Sequence, residues 1–157
     1  MVEDYYAADL WNQNNEIIKA EVTGSSRCGF MRFTFPKAEE AYFVVEAVKA
    51  DYPNVTVREE KDGKDDFVYK QGKGFYGTVE VLPENQEIIG YNNDVFSHTI
   101  SPELKNFKGY FVMQFNKPFK SYGTWSDSIL NPNSKKEKGV FTGAYFTFNT
   151  NANEIIE

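Results

Sequence analysis

Apolar and polar residues alternate along most of this chain. From Arg27 to Phe35 the order Arg-Cys-Gly-Phe-Met-Arg-Phe-Thr-Phe puts Gly29, Met31, Phe33 and Phe35 on one side of an extended segment. Cys28, Phe30, Arg32 and Thr34 fall on the other, the two-residue period of a strand. Pro36 ends the segment, having no N–H to give to a ladder. Over 143–150 the same period opposes Tyr145 and Thr147 to Ala144, Phe146 and Phe148. Over 110–115 the apolar residues are nearly continuous, which predicts a strand covered on both faces, stopped by Asn116-Lys117-Pro118. Further strands are predicted at 5–11, 17–23, 41–48, 55–60, 67–69, 75–82 and 87–91. Between them lie turn formers such as Asn12-Gln13-Asn14-Asn15 and Pro83-Glu84-Asn85. In the stretch 37–50, Ala and Glu favour helix but Tyr42-Phe43-Val44-Val45 favours strand, and we read strand. About ten short, evenly punctuated strands predict an all-β fold, an antiparallel β-sandwich in one domain over 1–157. The hydrophilic stretch 51–74 reads as a projecting charged hairpin whose charges keep an edge strand soluble.

Composition narrows the chemistry. Fourteen Phe, ten Tyr and two Trp in 157 residues supply a core without staples. A formal charge of −6 repels phosphate backbones, so no nucleic-acid partner is expected. Lys135, Lys136 and Lys138 come closest to a basic cluster, but Glu137 interrupts them and Asn131-Pro132-Asn133-Ser134 marks a solvated turn. One cysteine, Cys28, closes no disulfide within the chain, and with one histidine, His98, no Cys/His zinc set can form. His98 has no evident base role, and no Gly-x-Ser-x-Gly elbow is present. Gly72-Lys73-Gly74 lacks the spacing of a phosphate loop. The acidic run 59–66 has lysines among its carboxylates and lacks the calcium-loop order. Asn54-Val55-Thr56 fits a glycosylation sequon. No run approaches the ~18 apolar residues of a membrane span, and Met1-Val2-Glu3-Asp4 lacks the basic and apolar regions expected of a signal peptide. No carboxylate pair is singled out for acid and base work, so no catalytic residue and no metal ligand is assigned to this chain.

The most informative stretch is 117–127, Lys-Pro-Phe-Lys-Ser-Tyr-Gly-Thr-Trp-Ser-Asp. Read as a loop after a strand, it flanks Gly123 with Tyr122 and Trp125 and follows them with Asp127, groups able to stack on a sugar ring and bind its hydroxyls. Tyr122, Trp125 and Asp127 are thus candidate substrate-binding residues. The plainer reading, which we favour for any one of these aromatics, is that Phe119, Tyr122 and Trp125 cap the end of the sandwich.

An ordered series of blocks resembles a known family. They are Tyr5-Tyr6, Ile17-Ile18-Lys19-Ala20-Glu21-Val22-Thr23, Gly29-Phe30-Met31-Arg32-Phe33-Thr34-Phe35-Pro36, Ile88-Ile89-Gly90-Tyr91, the stretch 110–123 and Ala144-Tyr145-Phe146-Thr147-Phe148. In this order they resemble the N-terminal domain of glycoside hydrolase family 92, exo-acting α-mannosidases typical of gut Bacteroidetes. The resemblance covers nearly the whole chain, with 51–79 as an apparent insertion, but the family's opening blocks ahead of the first strand are missing. It implies a sandwich of the galactose mutarotase-like supersandwich type, packed on an (α/α)6 helical catalytic domain. It also implies that mannose is removed with inversion at a calcium-dependent site at the interface, with acid, base and metal ligands largely from the helical domain. This chain is then a partial N-terminal domain, inactive alone, whose partners are the helical domain and mannose-containing glycans. Calcium is expected in the helical domain, and a secreted, periplasmic or cell-surface setting is expected for the parent. The rival expectations are a free-standing carbohydrate-binding module and a structural or adhesive β domain. A domain parted from its neighbour should expose the surface that met it.

Overall fold

The structure, a computed structural model, describes residues 4–49, 55–61, 64–70, 76–93 and 107–157. Among the described residues fourteen strands follow one another: β1 Tyr5–Trp11, β2 Ile17–Gly24, β3 Gly29–Phe35, β4 Ala38–Lys49, β5 Val55–Lys61, β6 Lys64–Lys70 and β7 Gly77–Leu82. A 3-10 turn, Pro83–Asn85, leads into β8 Glu87–Asn92, β9 Gly109–Gln114, β10 Ser121–Ser126, β11 Ile129–Pro132, β12 Lys136–Gly139, β13 Phe141–Thr150 and β14 Glu154–Ile156. The sheets are β1-β2-β3-β14, β11-β10-β13-β4, β12-β7-β8-β9 and the separate pair β5-β6, with every pairing antiparallel. The fold is an all-β sandwich. No described helix is long and apolar enough to cross a membrane.

Strand β13 organises the core. Its residues Ala144, Phe146 and Phe148 are fully buried and point inward from the sheet β11-β10-β13-β4. Ala144 and Phe146 pack with Val79, Val81 and Ile88 of β7 and β8, whereas Phe148 packs with Phe35 and Ile156 of the first sheet. One face of one sheet therefore covers two others side by side. Phe115 and Phe119, from the segment between β9 and β10, touch both clusters, and Phe119 stacks on Phe146 at 4.9 Å between centroids. Each such ring gives roughly 1.5–3 kcal/mol on leaving water.

The alternation read at 27–35 holds over 32–35, with Phe33 and Phe35 in the core cluster and Arg32 outside, while Phe30 and Met31 are both exposed. That read at 143–150 turns Ala144, Phe146 and Phe148 inward, although Gly143 and Thr147 on the other side are buried too. The stretch 37–50 is strand, as its Tyr-Phe-Val-Val run predicts. Three expectations are corrected. Strand β9 is covered on one face only, because Phe111 and Met113 face the core while Tyr110 and Val112 are exposed on the outer side of an edge strand. The residues 121–126 form a strand rather than a loop, paired on both sides by β13 and β11. Lys136 and Lys138 belong to edge strand β12, where charge protects an unpaired rim, and Lys136 Nζ lies 2.9 Å from Glu80. The predicted hairpin at 51–74 contains β5 and β6, which pair only with each other among the described residues. Asn54, Gly72-Lys73-Gly74 and His98 lie outside the described residues.

Candidate functional site

The hairpin β10–β11 holds the three sequence candidates, and its register decides what each can do. Tyr122 stands opposite Phe146 on the inward side and packs against the core. Thr124, on the same side, is fully buried opposite Ala144. Trp125 points the other way, opposite Gly143 on β13 and Leu130 on β11. Asp127 sits in the turn with φ 54°, exposed, its N–H donating to the carbonyl of Phe141 at 2.8 Å. Thus Tyr122 and Trp125 lie on opposite faces of one strand and do not converge with Asp127 on a single surface.

The two glycines explain the outward side. A Cβ on Gly143 would stand 2.7 Å from Trp125 Cζ2 and 1.9 Å from the carbonyl oxygen of Val45, so only glycine lets the indole lie down on the sheet. A Cβ on Gly123 would stand 2.5 Å from the Tyr145 hydroxyl oxygen, so the phenol ring lies across the neighbouring strand in the same way. Gly123 thus serves close approach, not loop flexibility. Trp125 meets Phe141 edge to face at 4.7 Å and is only 9% exposed. Its indole N–H is buried with no acceptor, the one such side-chain group among the described residues, a state that costs about 1–3 kcal/mol. Around these flat rings stand Tyr42, Val44 and Leu130, which are 60%, 65% and 65% exposed. Sequence reasoning missed this face because it read 121–126 as a loop.

Several carboxylates are engaged by neighbouring side chains. Glu137 accepts from Asn131 Nδ2 at 2.8 Å and from Thr124 Oγ1 at 3.4 Å. Glu21 accepts from the Tyr5 hydroxyl at 2.5 Å and from Lys19 at 3.0 Å, and these two hydrogen bonds hold its carboxyl below the ordinary Glu value. Glu154 is held below it chiefly by the ammonium of Lys117 and the backbone N–H of Asn151. Among the described residues no three His, Cys, Asp or Glu side chains gather as metal ligands.

A second feature also escaped sequence reading. On the outer side of β7-β8-β9, Tyr76, Tyr91 and Tyr110 form a row with centroids 6.0 and 5.4 Å apart. Lys138 caps Tyr76 at 4.1 Å and Lys108 caps Tyr91 at 4.3 Å. A hydrogen bond with Tyr76, followed by the Lys108 charge, lowers the Tyr91 phenol from its ordinary value. The signal was the alternation that sets Tyr91 opposite to Ile88.

The family model of the glycosyl hydrolase family 92 N-terminal domain matches residues 3–157. No curated protein sequence matches the chain. Among solved structures, a family 92 inverting mannosidase of Bacteroides thetaiotaomicron VPI-5482 is similar with TM-score 0.67 and 21% identity, covering 96% of this chain and 16% of that one. A family 92 α-mannosidase of Bacteroides thetaiotaomicron, solved with mannoimidazole, gives 0.63 and 20%, covering 97% of this chain and 17% of its own. A family 92 glycosyl hydrolase gives 0.61 and 22%, covering 98% and 19%. At such identities the likeness shows the sandwich fold, and the chain spans less than a fifth of the solved chains it resembles. With the family model matched from residue 3 to residue 157, the chain belongs to glycosyl hydrolase family 92, as its N-terminal domain.

Proposed function

We propose that this domain is the non-catalytic sandwich of a calcium-dependent α-mannosidase that removes α-linked mannose from glycans outside the cytoplasm, in a secreted, periplasmic or cell-surface setting. The observation that carries the reading is the match to the family's N-terminal domain over 3–157, in a chain that spans 16–19% of the solved family members it resembles. The acid, the base and the calcium ligands then belong to the remaining four-fifths of such a protein, and the sandwich supports them. Of the three residues suggested for sugar contact, Asp127 is the exposed one, on a turn held by a backbone hydrogen bond, and we assign it the available contact with glycan. Trp125 gives its area to the sheet instead. The test is hydrolysis of α-linked mannosides by the full-length protein that carries this domain, with and without chelator. Mannose release that chelation abolishes and calcium restores is the expected result. Release by residues 1–157 alone, or none from the full-length protein, would overturn the proposal.

A further inference from the structure

We infer that the outward face of the sheet β4-β13-β10-β11 is the surface on which the remainder of the parent enzyme docks. This inference rests on the proposed function, since it takes the partner to be the rest of the same polypeptide.

A sheet with one face in the core turns polar residues to water on the other. This sheet does not. By register and alternation, Tyr42 and Val44 on β4, Tyr145 on β13, Trp125 on β10 and Leu130 on β11 share the outward side. Three of these are more than half exposed. Gly123 and Gly143 let the Tyr145 and Trp125 rings lie flat, which lowers the relief of the face and suits it to a broad contact. The one described buried side-chain N–H without an acceptor, that of Trp125, belongs to the same face, where an acceptor from a covering chain would satisfy it after a small turn of the ring.

The occupant follows from charge and chain length. Glu46 and Asp127 are exposed along the borders of the face, Glu40 stands beside them 3.7 Å from the Lys120 ammonium, and the whole chain carries −6. A second copy set on it about a two-fold axis would bring acidic border against acidic border, which is unfavourable. The solved family members carry more than four-fifths of their length outside the matched portion, enough chain to cover the face within one polypeptide. The partner surface is therefore apolar at its centre, with a hydrogen-bond acceptor for Tyr145 and basic residues at its margin, the Tyr42 hydroxyl already donating to Glu40 at 2.6 Å.

Hydroxyl-radical footprinting of the full-length protein, read by mass spectrometry, tests this. Tyr42, Val44 and Leu130 should be labelled several-fold more slowly, relative to their intrinsic reactivities, than Tyr5 and Trp11 on the first sheet. Labelling at the same relative rate as Tyr5 and Trp11 would overturn the inference. Protection that disappears on dilution would also overturn it, since it would identify a second copy as the cover. Mannosidase activity measured on the same sample keeps the two questions apart: an active enzyme with a fully labelled face refutes the docking surface alone.

Discussion

The outward faces of two sheets in this molecule carry opposite surfaces on the same pleated scaffold. On β1-β2-β3 the centre is charged, with exposed Tyr5, Trp11, Ile17 and Phe30 around it: Asp9 stands opposite Lys19, Glu21 opposite Arg32, and Arg32 reaches Glu157 at 2.7 Å. On β4-β13-β10 the equivalent positions are Tyr42, Val44, Tyr145 and Trp125. The covered parts of the inner faces do not distinguish them, because Ile18, Phe33 and Phe35 of the first sheet and Phe43 and Phe148 of the second meet in the same Phe-rich cluster, although Tyr6 and Leu10 at the β1 edge stay exposed. What differs is what lies outside, and a face selected for water keeps its ions while a face selected for a partner loses them.

The comparison can be broken most severely through β13. Phe146→Ala removes a fully buried ring and should cost about 3–5 kcal/mol, whereas Val44→Ala on the outward side of neighbouring β4 should stay within about 0.5 kcal/mol in residues 1–157 alone. Urea unfolding of both variants would show it, and similar losses would mean that the outward side is already packed. Next in size, Gly143→Ala sets a methyl against Trp125 and the Val45 carbonyl, for a loss of about 1–3 kcal/mol. The near-ultraviolet circular dichroism of the indole should change with it; an unchanged spectrum and midpoint would show that the ring does not lie on Gly143.

The smallest effect sharpens the charged side. Glu21 and Glu154 are held below the ordinary carboxyl value in the fold, by hydrogen bonds from Tyr5 and Lys19 and from Lys117. Their contribution is complete above the unfolded value of about 4.3 and is lost as pH falls through the lower folded value. Both sites are solvent-accessible, so the effect is modest. In chemical unfolding between neutral and acid pH, Glu21→Gln with Glu154→Gln should flatten the acid side of the stability profile. A profile identical to the parent's would show that these bonds contribute nothing.

Much of the fold was legible where the two-residue period is clean, as over 32–35 of β3 and 144–148 of β13. It failed where both faces deviate. Ser-Tyr-Gly-Thr-Trp-Ser reads as a loop because Gly123 is a turn signal locally, and its use as a bed for Tyr145 depends on a strand 22 residues away. Lys-Glu-Lys-Gly reads as a solvated turn because an edge strand is disguised by the charges that protect it. The nearly unbroken run in β9 reads as two-sided burial, although its outward members Tyr110 and Val112 are exposed. Tyr122 and Trp125 read as neighbours flanking Gly123 on one loop, and their separation onto opposite faces follows only from the strand parity that the loop reading conceals. Family membership was legible because it rests on the order of many short blocks and not on the conformation of any one.

The most direct test of an outward face made for covering is the double substitution Val44→Asp with Leu130→Asp, compared in the full-length protein and in residues 1–157 alone by urea unfolding followed at the domain's tryptophans. A marked loss of stability in the full-length protein with little change in the lone domain is the predicted result; equal shifts in both would contradict it.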